Sequence, residues 1–200
     1  CSSMTFAPRP NARPPGWTPG ALDYEAGGTA YRVSRQSFFQ VNRFLTSPLV
    51  ETALEGAEGE HALDLYAGVG LFALPLARCF TSVTAVEASG AATADLEFNA
   101  ARAGLAVRTE RSSVERYLET LTARPDFVLL DPPRAGLGKL VVRRLAELAP
   151  PRVTIVSCDP ATLARDLAAL LAAGYRLERL TLVDLFPQTF HMETLARLVL

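Results

Sequence analysis

Cysteine is scarce in this 200-residue chain, and its three copies, Cys1, Cys79 and Cys158, stand far apart. So few and so scattered, they exclude a disulfide framework, a zinc site or an iron–sulfur cluster built within this stretch, and they suit a reducing, cytoplasmic compartment. No apolar run approaches the roughly 18 residues of a membrane-spanning helix, and the N-terminus lacks the basic-then-apolar layout of a secretory leader, so no membrane partner is expected. Charge of one sign is lacking too. Lys and Arg total 20 against 21 Asp and Glu, a formal charge of -1, so any RNA contact must come from a local patch or a separate module. There is no internal repeat. Residue 1 is Cys1 and not methionine, and Pro8, Pro10, Pro14, Pro15 and Pro19 break the opening stretch. The expectation is a fragment that begins in a linker: residues 1–29 form a proline-rich arm or the remnant of an upstream domain, and the folded domain runs over 30–200.

What is present is apolar patterning. A 49% apolar fraction is enough for one substantial core. Strands are predicted at Ala30–Val33, Ala62–Tyr66, Val83–Val86, Ala106–Thr109, Phe127–Leu130 and Val153–Ser157. Helices are predicted at Gln40–Leu54, interrupted or restarted at Pro48, and at Phe72–Cys79, Gly90–Ala103, Val114–Leu121, Leu140–Leu148 and Ala161–Ala172. Strand-helix alternation means a parallel sheet with helices on both faces. Gly174 can close the last helix, and Arg176–Leu185 and Glu193–Leu200 then read as two strands with no helix between them, an antiparallel pair at one edge. The pattern is an α/β, Rossmann-like doubly wound sheet, mostly parallel with a terminal antiparallel hairpin, which is the class I methyltransferase variant of that fold.

Three segments carry candidate chemistry. Asp64 to Gly70, DLYAGVG, follows the first core strand, and Gly68 and Gly70 let backbone approach a ligand at a helix start. With Ala73 and Glu87 the same stretch also satisfies a dinucleotide pattern, so two nucleotide cofactors compete. Asp64 disfavours a pyrophosphate and favours the ammonium and sulfonium charges of S-adenosylmethionine. Glu87, at the next strand's end, suits both ribose hydroxyls. Asp131-Pro132-Pro133-Arg134 ends the fourth core strand with two prolines that hold the flanking charges rigidly, Asp131 toward a cofactor and Arg134 toward a substrate phosphate or an acid. Cys158 leaves the strand Val153–Ser157 at its carboxyl end, before a helix capped by Asp159 with Pro160 in its first turn. Helix amides favour a thiolate there while Asp159 opposes it, which leaves the thiol pKa undecided. Cys79 reads as a small buried hydrophobe.

SFFQVN (Ser37–Asn42), DLYAGVG, DPPRAGL (Asp131–Leu137), SCDPATLARDL (Ser157–Leu167) and FPQTFHMET (Phe186–Thr194) together, in this order, resemble the RNA uracil-carbon-5 methyltransferase family from about Ala30 onward. The resemblance implies S-adenosyl-L-methionine as cofactor, with contacts from Gln40, Tyr66, Leu71, Glu87 and Asp131 alongside the loop glycines. It implies Cys158 as nucleophile, Glu193 as general base, and a uridine in ribosomal or transfer RNA as substrate. Leu71 departs from the small polar residue common there, which leaves only apolar or backbone contact. Family members usually carry an upstream RNA-binding β-barrel and a central domain, and neither is present in these residues. Phe186, Pro187 and Phe190 would close a pocket that raises the Glu193 pKa by desolvation. Phe38, Phe39 and Phe190 are stacking candidates for an unstacked base, with core packing the equal alternative. Arg32, Arg35 and Arg43 either hold phosphates or form a solvated face, and a lone His191 reads as structural. Two other functions remain beside methyl transfer: a cofactor- or RNA-binding domain without turnover, and an NAD-dependent oxidoreductase, which Asp64 and the absence of a role for Cys158 disfavour.

Overall fold

The computed structural model describes residues 20–40, 42–189 and 192–200. The predicted alternation is present: a seven-stranded sheet contains β3 (His61–Leu65), β4 (Ser82–Glu87), β5 (Arg108–Arg111), β6 (Phe127–Leu130), β7 (Arg152–Ser157), β8 (Arg176–Val183) and β9 (Glu193–Val199). Their spatial order is β5-β4-β3-β6-β7-β9-β8. The links β5-β4-β3-β6-β7 are all parallel, whereas β9 inserts antiparallel between β7 and β8. The central strands obey a period of two. Leu63, Leu65, Val128, Leu130, Val153 and Ile155 face one core, and Ala62, Val83, Ala85, Phe127, Leu129 and Val156 face the other.

Helices cover both faces. α3 (Gly90–Ala103) is capped by Ser89, whose hydroxyl accepts from the Ala92 amide, and ends on left-handed Gly104. α4 (Val114–Thr120) starts from a Ser113 cap, α5 covers Gly138–Leu148, and α6 spans Pro160–Ala172. As expected, Asp159 Oδ1 caps α6 by accepting from the Thr162 amide at 2.8 Å, with Pro160 in the first turn. No helix among the described residues is long and apolar enough to cross a membrane.

Two helices are shorter than predicted by more than one residue. α1 is Thr46–Leu54, because Asn42 accepts from the Phe44 and Leu45 amides and makes a turn where Gln40–Leu54 was expected to be helical. Pro48 falls in the first turn, where its missing donor is harmless. α2 is a single turn, Ala73–Leu76, that tightens through bonds from the Arg78 amide to Pro75 and from the Cys79 amide to Leu76. Cys79 is exposed, not buried, because it lies beyond that turn.

A hairpin stands outside the sheet. β1 (Ala21–Ala26) pairs antiparallel with β2 (Thr29–Ser34) through the turn at Gly27 and Gly28. Among the described residues, regular structure is thus already present at Ala21–Ala26, within the stretch expected to belong to the arm. Tyr24 holds the hairpin down by stacking on Phe39 at 4.9 Å between ring centroids.

Candidate active site

The carboxyl edge of the parallel strands opens into a cavity of about 540 Å³. Its wall includes Gln40, Tyr66, Gly68, Leu71, Glu87, Asp131, Arg134, Cys158 and Glu193. Nine of the predicted site residues thus meet in one place. Phe38 lines it as well and is 71% exposed, while Phe39 is 7% exposed and packs on Tyr24 and Tyr31. Of this adjacent pair, Phe38 presents a free ring and Phe39 serves the core.

Gly70 is not in the cavity wall. Its φ is +94°, and a Cβ there would lie 2.5 Å from Leu74 Cδ1 and 3.2 Å from Leu96 Cγ, so it is required by packing beneath the loop. Gly68, with φ +55° and open space at its Cβ position, is the glycine that faces the cavity. Tyr66 has φ 65°, a left-handed conformation that costs a bulky residue about 1–2 kcal/mol, and sits where the loop leaves β3. Asp64 is fully buried and does not line the cavity, so its expected attraction to a cationic cofactor acts only through the interior. Burial, then the nearby Asp131 charge, hold its carboxyl well above the ordinary range.

Glu87 takes the Gly68 amide at 2.9 Å on one oxygen and the Ser89 amide at 2.7 Å on the other. Each carboxylate oxygen keeps a second lone pair for a ligand hydroxyl. Gln40 is 5% exposed, and its Oε1 has no hydrogen-bond partner among the described residues, an acceptor left for a ligand donor.

Cys158 and Glu193 meet through sheet register. In the β7-β9 pairing Arg152 faces Val199 and Ser157 faces Thr194. Cys158 follows Ser157 and Glu193 precedes Thr194, so the two stand at the same end of this pairing, and both line the cavity. An antiparallel strand is needed for this: β9 begins where the parallel strands end, and so brings its first side chain to their carboxyl edge. Burial raises the Glu193 carboxyl, and its Oε2 has no partner among the described residues. Burial also pushes the Cys158 thiol up, Glu193 adds to this, and the Arg134 guanidinium opposes both. Asp131 is pushed up to about 7 by burial and by Glu193.

Several expectations need qualification. Phe186 lines the cavity, Pro187 is exposed, and Phe190 and His191 lie outside the described residues. Arg32 is not a free phosphate ligand: it donates to Asp95 Oδ1 at 2.7 Å and to the Ala94 carbonyl at 3.0 Å, and lies 3.9 Å from the Phe98 ring centroid. Arg43 lies over Phe44 at 5.0 Å.

The sequence reading missed a second set of residues, the polar side chains behind the wall. Asp166, on α6, accepts from the buried Leu137 amide at 2.7 Å, and Arg165 donates to the Ala135 carbonyl at 2.8 Å. The helix that follows Cys158 thereby grips the turn that carries Asp131 and Arg134. Asp95 and Asn99 play the same part on α3. Their signal is periodic: with Ala92, Leu96 and Ala100 they occupy the buried face, so two polar residues stand at core positions of an amphipathic helix.

Comparison with known proteins gives the family and the fold. Residues 21–199 match the family model described as tRNA (Uracil-5-)-methyltransferase. The 23S rRNA (uracil(1939)-C(5))-methyltransferase RlmD of Cronobacter sakazakii is 43% identical over 183 residues, 86% of this chain and 41% of that protein. An uncharacterized RNA methyltransferase of Thermotoga maritima is 38% identical over 189 residues, 90% of this chain and 42% of that one. The crystal structure of Pyrococcus abyssi tRNA (uracil-54, C5)-methyltransferase, in complex with S-adenosyl-L-homocysteine, superposes with a TM-score of 0.82 at 34% identity, over 92% of this chain and 45% of that one. The chain spans about two fifths of the length of these curated relatives.

Proposed function

Since the chain belongs to the tRNA (uracil-5-)-methyltransferase family, we propose that it transfers a methyl group from S-adenosylmethionine to carbon 5 of a uridine in ribosomal or transfer RNA. The observation that carries this reading is that Cys158, the residue after β7, and Glu193, the first residue of β9, line one cavity that also holds Glu87 and Asp131.

The residues fit the cofactor. Glu87 has free lone pairs for ribose hydroxyls, Gln40 Oε1 is an unused acceptor, Gly68 admits close approach, and the carboxylates complement a cation. When bound, S-adenosylmethionine supplies an electrophilic methyl group.

Carbon 5 of uracil is a poor nucleophile, and the chain's own residues overcome this. The Cys158 thiolate adds to carbon 6, and the displaced electron pair becomes an enolate that can attack through carbon 5. Arg134, beside the sulfur, favours the thiolate against the burial that disfavours it. After methylation Glu193 takes the proton from carbon 5, the ring double bond re-forms, and the carbon–sulfur bond breaks to return the thiolate. A raised pKa makes Glu193 a better proton acceptor near neutrality. The Phe38 ring supplies a stacking surface for a base drawn out of its helix.

Fluorine cannot leave carbon 5 as a proton, so RNA containing 5-fluorouridine tests the scheme. With labelled S-adenosylmethionine the protein should form a denaturation-resistant, methylated adduct, and Cys158→Ala should form none. With ordinary uridine, Glu193→Gln should accumulate the corresponding methylated adduct, with hydrogen in place of fluorine on carbon 5, and resolve it slowly. Cofactor binding without an adduct, on RNA known to contain the target, would leave a binding domain in place of an enzyme.

A further inference from the structure

Behind the cavity wall, α3 carries a fully buried carboxylate. Asp95 accepts four hydrogen bonds from the end of β2 and the segment that follows it: from Arg32 Nε, the Ser34 amide, Ser34 Oγ and Ser37 Oγ, each at 2.7 Å. One turn further on, Asn99 accepts from the Arg32 amide at 2.6 Å and donates to the Arg32 carbonyl at 3.0 Å. Its Nδ2 also donates to the Val69 carbonyl at 3.1 Å, in the glycine loop. One helix face therefore holds two parts of the cavity wall, the glycine loop and the strap that continues from Ser37 into Phe38, Phe39 and Gln40. At the strap's far end Asn42 Nδ2 donates to the Leu185 carbonyl at 2.8 Å, beside Phe186 of the wall. Neither Asp95 nor Asn99 lines the cavity.

We propose that Asp95 is a positioning residue for the methyl-transfer site, which sets the strap through Ser34 and Ser37 so that Gln40 and Phe38 stand over the cavity. This rests on the function proposed above. The geometry requires acceptors on both carboxylate oxygens: Oδ1 meets Arg32 Nε and Ser34 Oγ, and Oδ2 meets the Ser34 amide and Ser37 Oγ. An amide at this position turns a donor toward donors, so Asp95→Asn keeps the shape and breaks the bonding. Because Ser37 adjoins Phe38, loss of its bond frees the strap where the aromatic ring and Gln40 follow. Ser37→Ala removes one bond of the four and leaves the hairpin otherwise attached.

The test is calorimetric titration of the full chain with S-adenosylmethionine, paired with steady-state kinetics on target RNA. Asp95→Asn should weaken cofactor binding about tenfold and raise KM for both ligands more than it lowers kcat, and Ser37→Ala should move Kd about threefold in the same direction. Alkylation of the Cys158 thiol should proceed at the parent rate in both, because the β7-β9 pairing is untouched. A purely structural Asp95 predicts a lower melting temperature with an unchanged Kd in the folded fraction, and that result overturns the proposal. Should Asp95→Asn fail to fold, Ser37→Ala decides: an unchanged Kd overturns the proposal. Failure of the unaltered protein to bind S-adenosylmethionine overturns the proposed function itself and, with it, this inference.

Discussion

Asp131 is the residue at which protonation and ligand binding are most directly linked. Its carboxyl is pushed up to about 7 by burial and by the Glu193 charge. A folded pKa above the unfolded value of about 4 means that the native state binds the extra proton between pH 4 and 7. Across that window the contribution of Asp131 to the stability of the ligand-free protein falls as pH rises, and it levels off above 7. Cofactor binding runs the other way, because a sulfonium and an ammonium favour the ionised carboxylate. The Kd for S-adenosylmethionine should therefore tighten about tenfold from pH 6 to pH 8. Asp131→Asn should bind more weakly and with a flat profile. Equal pH slopes for parent and variant, measured by calorimetry, would remove Asp131 from the cofactor's surroundings. The sequence placed this acid at the sheet edge but carried no sign of its pKa, which depends first on burial and then on Glu193, a residue far along the chain and near only in space.

At the scale of elements, β2 and the sheet strands β3, β4, β6, β7, β8 and β9 were legible within a few residues, β5 lies two residues later than predicted, and α3 matches its predicted limits because Ser89 and Gly104 cap it. β1 was not legible. Leu22, Tyr24 and Ala26 do alternate with Asp23 and Glu25, but the run is short, follows the proline-rich stretch directly and is half exposed, held by pairing with β2 and by Tyr24 on Phe39. Nor was the grip of α6 on the DPPR turn legible, since Arg165 and Asp166 read as ordinary helix polar residues. That grip supports a prediction at Gly136, where φ is +80° and an added Cβ would lie 2.4 Å from Asp166 Oδ2 and 2.5 Å from an Arg165 nitrogen. Gly136→Ala forces the clamp apart in addition to a backbone cost of about 1–2 kcal/mol. Single-turnover methylation should slow at least about tenfold, with Arg134 and Asp131 displaced, while the α3 side of the cofactor site stays intact. A parent rate in this variant would mean that the turn keeps its place without α6.

At the scale of the whole molecule, the described residues join two structures, a doubly wound sheet and a hairpin docked on one of its helices, and the proposed site draws on both. Cys158, Glu193, Glu87 and Asp131 come from the sheet, whereas Gln40 and Phe38 come from the strap that follows the hairpin. The 30–200 boundary read from the sequence falls one residue inside β2 and leaves β1 on its far side, and this suggests a direct test, with the cut placed at the start of β2. Removal of everything before Thr29 leaves β2 without its partner strand and takes Tyr24 from the face of Phe39. The lost ladder and the lost aromatic pair, the latter about 0.5–1.5 kcal/mol, loosen the strap at its root, although Asp95 still holds Arg32 and Ser34. At roughly 2–4 °C per kcal/mol for a chain of this size, the shortened protein should melt a few degrees lower than the full chain. Its affinity for S-adenosylmethionine should fall further than that loss of stability accounts for, because Gln40 and Phe38 lose their backing while the sheet keeps its own contacts. Thermal unfolding with and without cofactor measures both effects together. A shortened chain that melts lower yet gains the same cofactor-induced increase in Tm would show that the hairpin supports the fold alone and leaves the site to the sheet.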